Sequence, residues 1–345
     1  MKAAAGIPAA LGAALLFGAG APFAKSLLGG ASPWMLAGIL YLGSGAGLAA
    51  WRLARGGERA ALARADIRWL AAAIASGGIV GPVLLLWALV RMPASSASLL
   101  LNAEGLLTAL LAWFAFRENF DRRIAFGMLL IAAGGAVLAW PRGAHPGSPL
   151  PSLAVVGACL AWALDNNLTR KVALADATQV AMLKGLAAGA ANVVLALAIG
   201  ERFPPLAIVA GGALLGLASY GASLVLYVRA LRDLGTARTG AYFSTAPFAG
   251  AIISLALLHE PVTASLGVAA VLMALGVWIH LTEHHGHRHR HEAIEHEHEH
   301  EHDIHHLHQH AQPVAPGMRH THRHRHETMT HSHEHYPDSH HRHSH

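Results

Sequence analysis

The sequence predicts an all-α integral membrane protein, with ten transmembrane helices as two inverted five-helix repeats, plus a disordered C-terminal tail. Three observations lead to this fold class. First, 54% of the 345 residues are hydrophobic and only 13% are charged, whereas soluble domains carry about 25% charged residues. Second, ten apolar segments are each long enough to cross a bilayer. Third, the second half of the apolar region resembles the first half.

The ten apolar segments are joined by short stretches in which prolines and charged residues occur. A helix that crosses the lipid needs about 20 mainly apolar residues. The predicted spans are approximately residues 8–28, 33–51, 69–90, 94–114, 124–140, 152–169, 178–199, 206–228, 237–257 and 264–281. The start of the chain, from Met1 to Phe23, also resembles a signal peptide. Because further apolar segments follow at once, we expect a first transmembrane helix there instead.

Lysine and arginine residues indicate the orientation. If the N-terminus lies in the cytoplasm and the chain crosses ten times, 14 of them fall on the cytoplasmic side. Four fall outside, and these are Lys25, Arg91, Arg142 and Arg202. Cytoplasmic loops of membrane proteins carry the excess of positive charge. The sequence therefore predicts a multi-pass protein of a bacterial inner (plasma) membrane, with both termini and the tail in the cytoplasm.

The apolar region contains an internal repeat. The fourth and fifth segments begin RMPASSASLLLNAEGLLTALLAWFAFRENF, and the ninth and tenth begin LRDLGTARTGAYFSTAPFAGAIISLALLHEPV. Glu118 and Glu260 align at an offset of 142, and Lys25 and Arg170 align at an offset of 145. Because each half crosses five times, the halves insert in opposite directions, as in secondary transporters. The predicted domains are a first repeat at 1–141, a linker at 142–151, a second repeat at 152–283 and a tail at 284–345.

This arrangement resembles the drug/metabolite transporter superfamily, EamA type, over residues 1–283. In that family each half ends with a helix rich in small residues, an apolar run, a glutamate and a glycine-bearing helix. The matching residues are Ser95 to Ser98 with Glu118, Gly127 and Gly135, then Thr236 to Gly240 with Glu260, Gly267 and Gly276. The resemblance implies a secondary transporter. It does not name the cargo, because the family exports amino acids, nucleotide metabolites, sugars and drugs.

Three ionisable residues lie deep within the predicted spans: Glu104, Asp165 and Lys184. Such groups are costly inside a bilayer and often mark ion or substrate pathways. Glu104 lies near the middle of the fourth segment, roughly 15 Å from either surface, and its repeat-mate is Ala246. It could carry a proton, bind a cation, or pair structurally with a polar group on another helix.

Asp165 and Lys184 lie at matching depths in consecutive helices, so they could form an ion pair or take part in binding substrate. Asn166 and Asn167 complete a polar triplet with Asp165. Successive residues on a helix point about 100° apart, so the three cannot all face one cavity.

The rotation of about 100° per residue also puts Asn102 and Glu104 on different faces of their helix. Asn102 shares a helical stripe with Ser95 and Ser98, whereas Glu104 shares another with Leu101. We therefore expect one stripe to face the substrate unless the helix is distorted.

Two further stripes carry hydroxyl groups. Tyr220, Ser223 and Tyr227 recur at helical spacing in the eighth segment, and Tyr242 and Thr245 do so in the ninth. They could bond one helix to another, or they could line a cavity for organic cargo. Tyr220 and Tyr242 join the candidate substrate path.

The tail is dense in histidine, with 24 of the chain's 27 histidines between His284 and His345. Neutral imidazole binds zinc, nickel, copper and cobalt. The body requires no cofactor, and the tail is predicted to bind divalent Ni, Co, Zn or Cu. The candidate ligands are His284, His285, His287, His289, His291, His296, His298, His300, His302, His305, His306, His308 and His310. Lacking apolar periodicity, the tail is expected to be disordered.

Several function classes do not fit. HExxH at His296–His300 arises from a Glu-His repeat and lacks the packed helix of a metalloprotease. With Cys159 as the single cysteine, intrachain disulfides and cysteine metal sites are excluded. We find no glycine-rich phosphate loop followed by lysine, and the arginines of short loops do not suggest nucleic-acid binding. The chain is expected not to be an enzyme.

The leading functional hypothesis is an exporter of a small metabolite or a divalent metal ion. Its tail would capture or sense transition metal in the cytoplasm. The alternative is a membrane-anchored protein that buffers or senses metal without transport. The expected partners are the lipid bilayer and the small-molecule or metal-ion substrate, and a homodimer stays open.

Overall fold

A computed structural model describes residues 2–55, 64–116, 122–140, 148–169, 177–234, 236–282, 286–290, 295–300, 320–325 and 330–334. The chain divides into two units, Met1–Leu281 and Thr282–His345. The described residues of the first unit are helical apart from short turns and loops. Those of the second unit, beyond Thr282, form four short strands.

The described residues of the first unit form fifteen α-helices and two π-helical segments. The helices of its first part are α1 (Lys2–Gly18), α2 (Gly20–Leu27), α3 (Pro33–Arg55), α4 (Arg64–Ala73), α5 (Gly81–Leu89), α6 (Ala94–Leu100), α7 (Asn102–Phe116) and α8 (Arg122–Ala139). Those of its second part are α9 (Leu150–Thr169), α10 (Ala177–Ala198), α11 (Leu206–Gly216), α12 (Ser223–Leu234), α13 (Thr236–Phe243), α14 (Ala246–Leu258) and α15 (Ala264–Leu281). The π-helical segments Ile74–Val80 and Leu217–Ala222 join α4 to α5 and α11 to α12.

Seven helical stretches in the described part of the chain are long and apolar enough to cross a membrane. They are Gly6–Leu27, Pro33–Ala54, Asp66–Leu89, Ala94–Leu111, Thr178–Ala198, Leu206–Leu231 and Arg238–Leu258. Ala125–Ala139 and Ala264–Ile279 are shorter apolar helices. The remaining predicted span, the sixth, corresponds to α9, which carries the polar triplet Asp165, Asn166 and Asn167 near its end. Each of the ten predicted spans therefore contains at least one helix, and seven of them meet the length and hydropathy expected of a span.

Several of these stretches are not uniform helices, which the sequence did not predict. Short turns interrupt the helices at Ala19, at Leu101 and at Ser244–Thr245. At the second interruption the Glu104 amide donates to the Leu101 carbonyl at 3.0 Å, three residues back. The two π-helical segments begin 143 residues apart, at Ile74 and Leu217, close to the offset of the sequence repeat. π-Helical turns occur frequently at functional sites.

Glycines let the helices at the centre approach at backbone distance. A Cβ atom on Gly45 of α3 would lie 2.5 Å from the Leu186 amide of α10. A Cβ atom on Gly216 would overlap the Leu40 carbonyl oxygen. The core beside this seam is built from fully buried leucines such as Leu36 and Leu40. Close approach of this kind is what small residues contribute where helices pack in lipid.

The four strands of the second unit pair as two antiparallel ribbons. They are β1 (Gly286–Arg290), β2 (Glu295–His300), β3 (His320–Arg325) and β4 (Thr330–Glu334), with β1 paired to β4 and β2 to β3. This differs from the disordered tail that the sequence predicts. The register sets Glu295 opposite Arg325 and Glu297 opposite Arg323. The alternating His-Glu and His-Arg repeats have the two-residue period of a strand.

The close packing at Gly216 predicts a strong response to one methyl group. Gly216→Ala should destabilise the purified protein by roughly 1 to 3 kcal/mol, the usual cost of overpacking. Thermal unfolding in detergent would measure the loss. Gly267→Ala is the matched control, since a Cβ atom there meets nothing within 4 Å. Equal unfolding temperatures for the two variants would contradict the packing described for α3 and α11.

Candidate functional site

A cavity of about 180 Å³ lies among helices from both parts of the first unit. Its lining residues are Phe17, Ala21, Tyr41, Leu85, Leu101, Glu104, Trp162, Asn166 and Tyr220. Four of them are aromatic, and among the described lining residues one, Glu104, has a carboxyl group. The cavity thus combines apolar ring surfaces with one acidic group and one amide.

Glu104 lies three residues after the lining residue Leu101 and therefore faces the same cavity. Its Oε1 atom accepts a hydrogen bond from the Asn166 amide nitrogen at 3.0 Å. The same nitrogen lies 3.4 Å from the Thr108 hydroxyl. The partner of the carboxylate is therefore a neutral amide. A cation in the cavity could bind the carboxylate without displacing a lysine or arginine.

The aromatic residues direct their polar atoms toward backbone. The Tyr41 hydroxyl and the Trp162 indole nitrogen both donate to the Gly77 carbonyl, each at 2.9 Å. Gly77 belongs to the π-helical segment Ile74–Val80. Tyr220 packs against Tyr41 with ring centroids 5.7 Å apart and against Phe17 at 6.0 Å. Since the polar atoms of Tyr41 and Trp162 are occupied, these two rings present mainly apolar surface to the cavity.

Asp165 and Lys184 form an ion pair beside the cavity. The Lys184 ammonium lies 2.5 Å from Oδ1 and 2.7 Å from Oδ2 of Asp165. Thr169 donates to the same carboxylate at 2.9 Å, and Asp165 is 7% exposed. Gly77 has no room for a side chain, because a Cβ atom there would overlap the carboxylate of Asp165. The ion pair suggested by the matching depths is thus present, and it neutralises this carboxylate.

Other residues predicted for the substrate path lie away from the cavity lining. Asn102 is buried and donates to the Leu99 carbonyl at 2.8 Å, with the Met273 sulfur at 3.9 Å. Asn167 donates to the Ala163 carbonyl at 2.8 Å. Tyr242 packs against a small cluster that includes Ala230. These positions separate the Glu104 stripe from the Asn102 stripe, as helical geometry predicts, while the functional roles of all these residues stay predictions.

The sequence reading missed three aromatic lining residues: Phe17, Tyr41 and Trp162. For Trp162 a signal was available, because it lies four residues before Asn166 and so shares its helical face. Phe17 and Tyr41 sit in apolar runs, where aromatic residues are expected as ordinary core. Gly77 was also missed, since its role depends on a π-helical turn.

The described residues contain no group of three or more His, Cys, Asp and Glu side chains that could hold a metal ion. Five predicted tail ligands lie on strands: His287 and His289 on β1, and His296, His298 and His300 on β2. The others fall outside the described residues, namely His284, His285, His291, His302, His305, His306, His308 and His310. Metal binding by the tail stays a prediction.

These features define a multi-pass helical membrane protein with a cavity among its helices that combines aromatic surfaces with one carboxyl group. The chain belongs to the EamA-like transporter family, whose model matches residues 4–140 and 150–282. It is therefore a membrane transporter, and the resemblance noted in the sequence is confirmed. The two matched blocks coincide closely with the two halves of the internal repeat.

Two individual proteins are similar to this chain. An uncharacterized transporter of Methanothermobacter thermautotrophicus is 28% identical over 233 residues, which cover 65% of this chain and 67% of that protein. A protein of known crystal structure superposes with a TM-score of 0.60 over 79% of this chain and 95% of its own, at 21% identity. That likeness concerns the fold alone.

The Asp165–Lys184 pair predicts non-additive mutational effects. Asp165→Asn and Lys184→Gln should each destabilise the protein by roughly 3 to 5 kcal/mol, because each leaves one buried charge without its partner. The double variant should lose much less than the sum of the two. Thermal unfolding of the four proteins in detergent would measure the coupling. Simple additivity would mean that the ion pair does not stabilise the protein.

Proposed function

We propose that this chain is a secondary transporter that exports a small organic cation, such as an amine, through the central cavity. The observation that carries the proposal is a single carboxyl group, Glu104, in a cavity with four aromatic residues. Organic cations bind where a negative charge and aromatic faces occur together. The cavity volume of about 180 Å³ is about six times the volume that one water molecule occupies in liquid water. This size suits a small cargo.

The cavity favours an organic cation over a metal ion. A divalent transition metal needs several nitrogen, sulfur or charged oxygen ligands, and in the described part of the chain no such group of three occurs. Asp165 is neutralised by Lys184. An ammonium group, by contrast, needs one carboxylate and a few acceptors. The Asn166 side chain, whose nitrogen bonds Glu104, would offer its carbonyl oxygen as such an acceptor.

Alternating access would follow from two inverted five-helix halves, one moving against the other around the cavity. The matching π-helical segments support this arrangement, as do the paired interruptions at Leu101 and Ser244–Thr245. Ten crossings would include α8, α9 and α15, which have 18, 20 and 18 residues. At 1.5 Å per residue such helices are roughly 27 to 30 Å long, close to the thickness of the hydrocarbon core.

The orientation of the chain in the membrane is proposed from charge. The excess of lysine and arginine on one set of loops supports a cytoplasmic location for both termini and the tail. Without a phosphate-binding loop, export would be driven by exchange against a cation entering the cell. Glu104 would bind the cargo and the exchanged cation in turn, so that one carboxylate couples the two movements.

The tail adds a second chemistry. Its 24 histidines would capture divalent Ni, Co, Zn or Cu in the cytoplasm. With its nine acidic residues, six arginines and neutral histidines the tail has a charge of −3. Protonation of a few histidines near their reference pKa of about 6.5 reverses that sign. We propose that the tail senses or buffers metal and that the metal is not the cargo of the cavity.

Efflux in cells would test the proposal. Cells that express the protein should lose preloaded radiolabelled choline or putrescine faster than control cells. Glu104→Gln should abolish that gain, because the amide has the shape of the carboxyl group without its charge. Asn102→Ala is the matched control, as Asn102 lies on the same helix but faces Met273. Export of these cations by Glu104→Gln at the original rate would contradict the proposed role of the carboxylate.

Metal binding by the tail can be tested separately. Purified full-length protein should bind several equivalents of Zn²⁺ or Ni²⁺ at pH 7.5 and far fewer at pH 5.5, because imidazole must lose its proton to bind metal. A form that ends at Glu283 should lose nearly all of this binding, whereas Glu104→Gln should keep it. Calorimetric titration would measure the stoichiometry. If the form ending at Glu283 bound metal as well as the full chain, the ligands would lie in the body.

A further inference from the structure

One carboxylate joins three helix ends at one end of the first unit. Oε1 of Glu260 accepts from the backbone amide of Ala94 at 2.7 Å and from the Lys25 ammonium at 3.3 Å. Oε2 accepts from the Ser95 amide at 2.9 Å and from the Ser95 hydroxyl at 2.6 Å. Lys25 also donates to the Met92 carbonyl at 2.7 Å. These contacts link the last turn of α2, the first residues of α6 and the loop after α14.

Each of the three linked helices is one part of an interrupted helix. We call α2, α6 and α14 the outer pieces, because they lie on the Lys25 side of the interruptions. α2 is separated from α1 at Ala19, α6 from α7 at Leu101, and α14 from α13 at Ser244–Thr245. All three interruptions lie next to the cavity. Leu101 lines it, Ala21 lines it two residues after the first interruption, and Phe243 packs on the lining residue Phe17 with centroids 5.3 Å apart.

α14 packs closely against α6 and against the end of α1. A Cβ atom on Gly250 of α14 would lie 2.7 Å from the Gly18 carbonyl oxygen and 2.9 Å from the Ser98 hydroxyl of α6. A Cβ atom on Gly18 would overlap the Ala246 carbonyl oxygen. Gly18 is the last residue of α1, so its contacts also hold α14 against that helix. Among the gate helices themselves, the Gly250–Ser98 contact ties α14 to α6, and the Glu260 contacts tie α2 and α6 to the loop after α14.

The Glu260 contacts lie just beyond one end of the cavity. Lys25 follows the lining residue Ala21 by one turn of α2, a rise of about 6 Å. Ala21 itself is 6% exposed. At the other end the cavity reaches the surface of the unit, since Asn166 both lines it and is exposed. The described conformation is therefore open at the Asn166 end and closed at the Lys25 end.

We propose that Lys25, Glu260 and the first residues of α6 form a lock that holds α2, α6 and α14 together as a gate. The gate closes the Lys25 end of the cavity. Opening it would break the Glu260 contacts and bend the chain at Ala19, Leu101 and Ser244–Thr245. The gate does not depend on the identity of the cargo. It rests on the proposed function only in that the cavity is taken to be the transport path.

The charge of Glu260 strengthens the lock. Partial burial acts to raise the pKa of Glu260, but hydrogen bonds from Ser95 and Ala94 and the positive charge of Lys25 outweigh it. The pKa of Glu260 is therefore lowered from the usual value for a glutamate. The carboxylate stays ionised at neutral pH, and its hydrogen bonds are of the stronger, charge-assisted kind. Protonation in strong acid would weaken them.

Chemical labelling of the cavity tests the lock without any cargo. The cavity-lining substitution Ala21→Cys provides a thiol, and protein without it provides the background from buried Cys159. A membrane-impermeant maleimide is applied to intact cells and, separately, to inverted vesicles. In the parent protein, meaning the Ala21→Cys variant without further changes, the thiol should react slowly with maleimide applied from the Lys25 side. With the predicted orientation, that is the side exposed on intact cells. Lys25→Met and Glu260→Gln should each raise the rate from that side roughly tenfold or more, as expected for loss of charge-assisted hydrogen bonds.

The matched control is Glu201→Gln, since Glu201 accepts a hydrogen bond from Ser32 at the same end of the unit but outside the lock. It should leave the labelling rate unchanged. Lys25→Met keeps the Glu260 contacts to α6, so it remains informative if Glu260→Gln fails to fold. Fast labelling of the parent from the Lys25 side would overturn the lock. So would unchanged rates in both lock variants, or an equal rise with Glu201→Gln. Labelling requires no transport, so failure of the cargo assignment leaves this result interpretable.

Discussion

The structure depends on how polar groups are satisfied where water is scarce. In the lipid interior every backbone and side-chain polar group must find a partner within the protein or line a cavity. Most polar side chains of the helical unit meet this condition through one another. Lys184 neutralises Asp165 at 2.5 Å, and Asn192 donates to the Gly78 carbonyl at 2.9 Å. Glu104 differs from Asp165, because its hydrogen-bond partner is a neutral amide. The proposed export of a cation requires such a carboxylate, one that no lysine or arginine neutralises.

The helix distortions help to shape the site. A π-helical turn and a helix interruption both change which carbonyls and side chains point inward. Gly77 can accept from two aromatic residues at 2.9 Å because it lies within a π-helical segment. The π-helical segments and the interruptions at Leu101 and Ser244–Thr245 recur in both halves, which is consistent with a mechanism in which equivalent joints bend in alternation.

Much of the site could be predicted from the sequence where a simple rule applied. Apolar length predicted the helices, matching depth predicted the Asp165–Lys184 pair, and the 100° rotation per residue separated Glu104 from Asn102. The π-helical turns could not be predicted, because glycines such as Gly77 are equally compatible with a straight helix. Tyr41 could not be assigned to the cavity, since its contact with Tyr220 joins residues 179 positions apart. The tail strands were missed because the alternating repeats were interpreted from composition and not from their period.

The Glu104 carboxylate is the proposed binding group for a small organic cation. Equilibrium binding of choline and putrescine to the purified form ending at Glu283, measured by calorimetry, tests it most directly because the tail and the transport cycle are both absent. We expect saturable binding of at least one of these cations. Glu104→Gln should weaken it by roughly tenfold or more, since a buried charge pair is lost, and Asn102→Ala should not. Equal affinity of the parent and Glu104→Gln for these cations would contradict the account.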